Sequence, residues 1–379
     1  MKEDIHVAPA RSWEELRDET QARTDRQVYP LTGMRSEDVR VILSRITSLD
    51  DDEWGRSWGA MAQAWIEKGR ALEAGDRQAA GDAYVMAWRY GSFGAWPSAS
   101  SPAKRESFQL GRKAFLKYGE LQERKIERIE VPYPGGVIPI LLQLPKGEGR
   151  APVMLSVGGL DSFKEYVAER YGPVYMSRGI GWVAVDAPNT GETKLLPDPH
   201  AERAYSAVID YLLTRDDIDP KRIGLQGVSM GGYWSTRIAF AEHARLKLAV
   251  NWAGPLDAAW APTQIRGALA SKEYLFGLPK ALLAQSGFDS LAALVEGQQN
   301  LSIVKMGLVD KPTPPMLVVN GLKDSLVPAA DTLLLLQHGL PKSAWINPEG
   351  IHLARSAQWN DERIMREVIM PWIAQHMDA

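Results

Sequence analysis

The sequence predicts an α/β protein, a mostly parallel central sheet covered on both faces by helices, with an all-helical domain in front of it. Three observations carry this. Up to about Glu123, apolar residues recur three or four apart, the helical period. From Lys125 onward, short apolar runs alternate with helical stretches, as in strands joined by crossover helices. These runs are apolar on both sides, which is what strands buried on both faces require.

The first helices are read in "SWEELRDETQARTDRQ" and "RSEDVRVILSRITS". The segment from Asp51 to Trp96 reads as two helices joined at Ala74-Gly75-Asp76, with Trp54, Trp58 and Trp65 on one face of the first and Tyr84 and Trp88 on the second. This looks like one helix–turn–helix unit of tetratricopeptide type, and a single copy is a hairpin rather than an array. A further helix begins at Ser101-Pro102. Six of the 13 tryptophans precede residue 100; helix–helix packing and an aromatic ligand pocket both account for them. Next, "IERIEVPY" and "VIPILLQLP" flank the turn Pro134-Gly135-Gly136 and suggest an antiparallel pair. The later strands are "PVMLSVGG", "IGWVAVDAP", "RIGLQG", "LKLAVNWAG", "PMLVVNG" and "SAWINPEG", and most are followed by a helix. Residues at about 255–312 break the alternation with two or three helical stretches, read as an insertion near the carboxyl edge of the sheet, where such folds build their sites. The expected division is a helical domain over 1–123 and a sheet-bearing catalytic domain over 124–379.

Among the 379 residues, 45% are hydrophobic and 24% charged, which is ordinary for a globular protein, and the formal net charge is −3. No basic patch dominates, so nucleic acid is not an expected partner. The absence of cysteine excludes disulfides, thiolate metal sites and a cysteine nucleophile. The charged N-terminus lacks the apolar stretch of a secretory signal, and no apolar run approaches the roughly 18 residues of a membrane span. A cytoplasmic protein with no membrane partner is expected.

Gly227-Val228-Ser229-Met230-Gly231 is a G-x-S-x-G pattern between a strand and a helix. Serine at such a turn is the nucleophile elbow of the α/β-hydrolase fold. Its tight, strained backbone leaves no room for side chains two residues to either side, where Gly227 and Gly231 stand. A serine hydroxyl needs a base and a group that orients the base, in the chain order Ser, acid, His. His338 and His376 suit helix ends, whereas His352 lies in "NPEGIHLAR", a loop between the last strand and the last helix. Asp324 follows the penultimate strand in "VVNGLKDSLVP", and Asp257, in "NWAGPLD", is the alternative acid. An oxyanion hole needs two backbone N–H groups. Met230 supplies one, and Leu160, with Gly159 the alternative, supplies the other from "SVGGLDSFKE". Asp186, Asn189 and Glu192 in "VDAPNTGET" suit a turn at the sheet edge or a substrate contact. Trp252, Asp257 and Tyr233 are further candidate substrate contacts, helix packing being the role that the place of Tyr233 just after the serine turn favours.

Taken together, "GGLDSFKE", "DAPNTGET", "GVSMGGYW" and "NGLKDSLVP" resemble the α/β-hydrolases with a helical N-terminal cap, over about residues 40–375. That branch includes the 2,6-dihydroxypseudooxynicotine hydrolase type, the fermentation–respiration switch protein type and fungal polyketide chain-shortening hydrolases. The resemblance implies Ser229, Asp324 and His352 as a catalytic triad, helices that cover the active site, and a homodimer. It implies a small-molecule acyl or ketone substrate, cleaved through an acyl-enzyme beside a ketone or at an ester, with no cofactor and no metal. Members of the nicotine-degrading type use a further acidic residue after the strand that follows the nucleophile; here that region holds Asp257 and no glutamate. Some relatives are plain carboxylesterases, and others bind or regulate without catalysis.

Overall fold

The computed structural model describes Val7, residues 11–147 and residues 149–378. Residues 1–6 and 8–10, the start of the segment expected to carry no secretory signal, lie outside the described residues. The chain forms two compact units, one of Val7–Glu127 and Tyr274–Ala284, the other containing Arg128–Glu273 and Gln285–Ala379.

The first unit contains the helices Trp13–Asp25, Ser36–Leu43, Asp51–Leu72, Arg77–Gly94 and Pro102–Leu121. Their starts are written in side chains. The Ser12 hydroxyl accepts the Glu15 N–H while the Glu15 carboxylate accepts the Ser12 N–H, a capping box. Asp50, Asp76 and Ser101 cap three later helices in the simpler way. The hairpin read from Asp51 onward is present, with Asp76 capping its second helix. Trp54, Trp58, Trp88 and Trp96 are buried. Trp54 packs on Phe93 and Phe276 with ring centroids 5.3 and 4.9 Å away, and Trp96 stacks on Tyr274 at 5.0 Å. Trp88 packs on Phe108 and Phe115. Trp65 is half-buried, its indole N–H bonded to Asp38 at 3.0 Å. Large rings bury much apolar area for few rotatable bonds, and in this unit the early tryptophans serve that packing.

The second unit is built on eight strands among the described residues: β1 (Glu127–Tyr133), β2 (Gly136–Gln143), β3 (Ala151–Val157), β4 (Gly181–Val185), β5 (Ile218–Val228), β6 (Leu248–Trp252), β7 (Met316–Gly321) and β8 (Ser343–Asn347). Their order is β1-β2-β4-β3-β5-β6-β7-β8. Pairing from β4 through β3 to β8 is parallel, and β2 runs antiparallel to β4. Val153, Leu155, Val183, Ile223, Leu225 and Ala249 are fully buried, which explains their apolar runs. From β3 the chain first moves to β4 on one side and then returns to β5 on the other. The carboxyl ends of β3 and β5 therefore flank a switch point, where open α/β sheets form clefts. After β6 come a short turn at Ala258–Trp260, the helices Pro262–Ala270, Leu278–Ser286 and Leu291–Gly297, and the turn Gln298–Leu301. The first of these helices ends at Ala270, and residues 271–277 are irregular. No helix among the described residues is long and apolar enough to cross a membrane.

Candidate active site

Ser229 stands between β5 and the helix Met230–Ala241, at φ 56° and ψ −122°. A positive φ is costly for a residue with a side chain and persists only where the surroundings impose it. They do so here. The Ser229 N–H donates to the Trp252 carbonyl at 2.8 Å. A Cβ on Gly227 would lie 1.9 Å from the Gly231 carbonyl oxygen, and one on Gly231 would lie 2.2 Å from that of Val157. Both glycines of the motif are thus required by close approach of backbone to backbone.

His352 Nε2 lies 2.8 Å from Ser229 Oγ, and His352 Nδ1 lies 2.8 Å from Asp324 Oδ2. The other Asp324 oxygen accepts the N–H groups of Leu326 and Val327, each at 2.8 Å. Asp324 and His352 are both buried, at 7% and 8% exposure. Burial opposes a charge on His352, but the charge and hydrogen bond of Asp324, helped by the charge of Glu273, outweigh it and raise its pKa above the ordinary 6.5. The other candidate histidines are elsewhere: His338 meets Asp310, and His376 meets the Trp372 carbonyl. Asp257, the alternative acid, instead accepts the Ser302 hydroxyl.

The loop after β3 passes against the serine: a Cβ on Gly159 would lie 3.3 Å from Ser229 Cβ. The Gly159 N–H donates to Ser162 Oγ at 2.6 Å, so it is already engaged. Behind this loop is a charged cluster. Lys164, fully buried, contacts Asp186 at 3.0 Å, Glu192 at 2.6 Å and Glu165 at 3.4 Å. Asp186 also accepts the Lys164 and Glu192 N–H groups. Burial pushes the Glu165 carboxyl up, with Lys164 opposing. Asp186 and Glu192 of "VDAPNTGET" are therefore tied to the "GGLDSFKE" loop, and Asn189 donates to the Gln285 carbonyl.

Of the other candidates, Trp252 is fully buried; its indole N–H donates to the Leu353 carbonyl at 2.8 Å, beside His352. It thereby links the serine turn to the histidine loop. Tyr233 is fully buried between Trp234 and Trp260, its hydroxyl bonded to Arg237. Two acids escaped the sequence reading. Glu273 accepts the His352 N–H with one oxygen and the Ser325 N–H and hydroxyl with the other. Asp331, fully buried, accepts four N–H groups from Leu256 to Ala259. Neither belongs to a motif, and no local signal marks them: their partners are 52 to 79 residues away for Glu273 and 72 to 75 for Asp331. Among the described residues no group of three or more His, Asp or Glu side chains is arranged to hold a metal ion.

The family model described as "Esterase FrsA-like" matches residues 36–338. The chain is 30% identical over 250 residues to the 20-hydroxy-prefusarin hydrolase FUS2 of Gibberella moniliformis, covering 60% of this chain and 58% of that protein. It is 28% identical over 234 residues to the esterase FrsA of Escherichia coli, covering 58% and 55%. The match thus spans little more than half the length of these relatives. The crystal structure of the 2,6-dihydroxy-pseudo-oxynicotine hydrolase superposes with a TM-score of 0.77, covering 91% of this chain and 93% of that one at 20% identity, a likeness of fold. With a family match that runs from the helical region through β7, on an α/β-hydrolase fold, the chain belongs to the FrsA-like esterase family.

Proposed function

We propose that this protein is a serine hydrolase that cleaves a small acyl compound through an acyl-enzyme, with Ser229 as nucleophile, His352 as base and Asp324 as its orienting acid. The observation that carries the reading is the continuous pair of 2.8 Å contacts from Asp324 through His352 to Ser229. His352 Nε2 takes the hydroxyl proton as Ser229 Oγ attacks the carbonyl carbon. Asp324 holds the Nδ1–H tautomer and stabilises the imidazolium. The oxyanion is held by the Met230 and Leu160 N–H groups; Leu160 is preferred to Gly159 because the latter already donates to Ser162. His352 then protonates the departing atom, an alkoxide oxygen of an ester or a carbon whose electron pair a second carbonyl delocalises. Finally His352 deprotonates a water that attacks the acyl carbon and frees Ser229.

Both bond types stay within the proposal, since the family description names an esterase and FUS2 is named as a hydrolase of 20-hydroxy-prefusarin. In the same proposal the chain divides into a helical cap, 1–123, and a catalytic domain, 124–379, works in the cytoplasm and forms a homodimer. A fluorophosphonate probe is expected to modify Ser229 in the folded protein, and Ser229→Ala to lower turnover on the order of 10⁴-fold or more. An unmodified Ser229 would favour a binding role and overturn the reading. Aryl esters assayed beside aryl β-diketones separate the two leaving groups: turnover of esters alone removes the carbon–carbon branch.

A further inference from the structure

One cavity of the sheet-bearing unit is not used by the chemistry above. It measures about 190 Å³, and its wall includes Met230, the residue that follows Ser229. At about 30 Å³ per water-sized unit, it accommodates a chain of about six non-hydrogen atoms. Phe288, Leu301, Pro197 and Pro199 make much of its wall apolar. Gln298 differs from them. It is 4% exposed and lines the cavity, yet its carboxamide has no hydrogen-bond partner among the described residues. Gln285, on the same wall, contrasts with it: its amide donates to Thr190 Oγ1 at 3.1 Å. Buried amides are as a rule hydrogen-bonded. Asp198 and Asn300 add further polar groups to the wall; a largely apolar recess with a few polar groups beside the reacting centre is the usual design of a site that recognises a small molecule.

We infer that this cavity receives the distal part of the acyl chain attached at Ser229, and that Gln298 hydrogen-bonds a keto or hydroxyl oxygen on that chain. The inference rests on the serine-hydrolase reading and narrows its substrate to acyl compounds with a second oxygen several carbons from the scissile carbonyl. Such a site gains specificity because a substrate lacking the oxygen leaves Gln298 buried and unpaired. Any water in the recess is displaced by the correct chain, whose oxygen takes over its hydrogen bond.

The test uses p-nitrophenyl heptanoate and its 4-oxo, 5-oxo and 6-oxo derivatives. At least one oxo ester is expected to exceed the plain ester in kcat/KM by about tenfold or more. Gln298→Met, which keeps the length and loses the amide, is expected to bring that ratio close to one while fluorophosphonate still modifies Ser229 at the wild-type rate. Leu301→Phe fills the cavity from another wall, and is expected to slow heptanoyl esters while leaving p-nitrophenyl acetate within about twofold. Equal kcat/KM for all four heptanoyl esters, or an oxo preference that survives Gln298→Met, overturns the inference and leaves the serine chemistry standing. An unlabelled Ser229 in the wild type overturns both.

Discussion

At the scale of the residue, the decisive feature is how His352 is held. Asp324 engages Nδ1, and Glu273 binds the backbone of both His352 and Ser325, the neighbour of Asp324. Glu273 is in this reading a positioning residue: it fixes the distance between the base and its acid and adds negative charge near the imidazole. His352 must be neutral to accept a proton, so kcat/KM rises as the pH passes its raised pKa, and the acid limb is expected above pH 6.5. Glu273→Gln removes a charge that raises that pKa. The limb is therefore expected to move to lower pH, while Asp324→Asn also loses the tautomer and reduces kcat on the order of 10⁴-fold. A Glu273→Gln profile that superposes on the wild type would show that its charge does not reach the base. Stability follows the opposite direction. A histidine whose pKa is raised by folding stabilises the native state fully below its unfolded value, near 6.5, and loses that contribution as the pH rises through the raised pKa.

At the scale of the element, the site is assembled from turns at the carboxyl ends of β3, β5, β7 and β8, and each turn is tied to another. Trp252, at the end of β6, accepts the Ser229 N–H and donates to Leu353, so the serine turn and the histidine loop share one anchor. Asp331, from the helix Ala329–Gln337, holds residues 256–259 after β6. Lys164 joins the turns after β3 and β4 through Asp186 and Glu192. Lys164 and Asp186 are both fully buried, so removing the cation strands a charge in a low-dielectric interior. Lys164→Met is expected to cost about 3–5 kcal/mol, a fall in melting temperature on the order of 10 °C for a unit of this size, measured by calorimetry. It is also expected to lower kcat through displacement of Leu160. A melting temperature within about 2 °C of the wild type would mean that the cluster contributes little to holding that loop.

At the scale of the whole molecule, each of the two units has hydrophobic packing of its own among the described residues. In one it is the tryptophan-rich helical core around Trp54, Trp58 and Phe93, in the other the sheet core around Val153, Leu155 and Leu225. The segment Tyr274–Ala284 belongs with the helices although it lies between β6 and β7 in the chain. Arg11 donates to the carbonyls of Tyr274 and Leu275, and Lys280 meets Asp51, so this segment is bound to its unit by polar contacts as well as by Tyr274 and Phe276. The proposed homodimer is expected to sediment as a species of twice the 42.0 kDa chain at micromolar concentration; a single species at the chain mass would remove it from the proposal.

By itself the sequence determined the two regimes of hydrophobic period, the strands of the sheet, the glycines of the serine turn and the chain order of Ser229, Asp324 and His352. All of these are local, because period, cap and turn chemistry act over a few residues. It left two acids, Asp257 and Asp324, and three histidines in contention, since separation along the chain does not measure distance in space. Only the tertiary structure shows which of them meet, by bringing His352 Nε2 to 2.8 Å from Ser229 Oγ although the two residues are 123 apart in sequence, with Asp324 on the other ring nitrogen. The same long-range assembly turned Trp252 and Tyr233 from candidate contacts into buried packing and gave the tryptophans of the helical unit to its core. It also brought out Glu273, whose carboxylate acquires meaning only when loops from three parts of the chain converge on it.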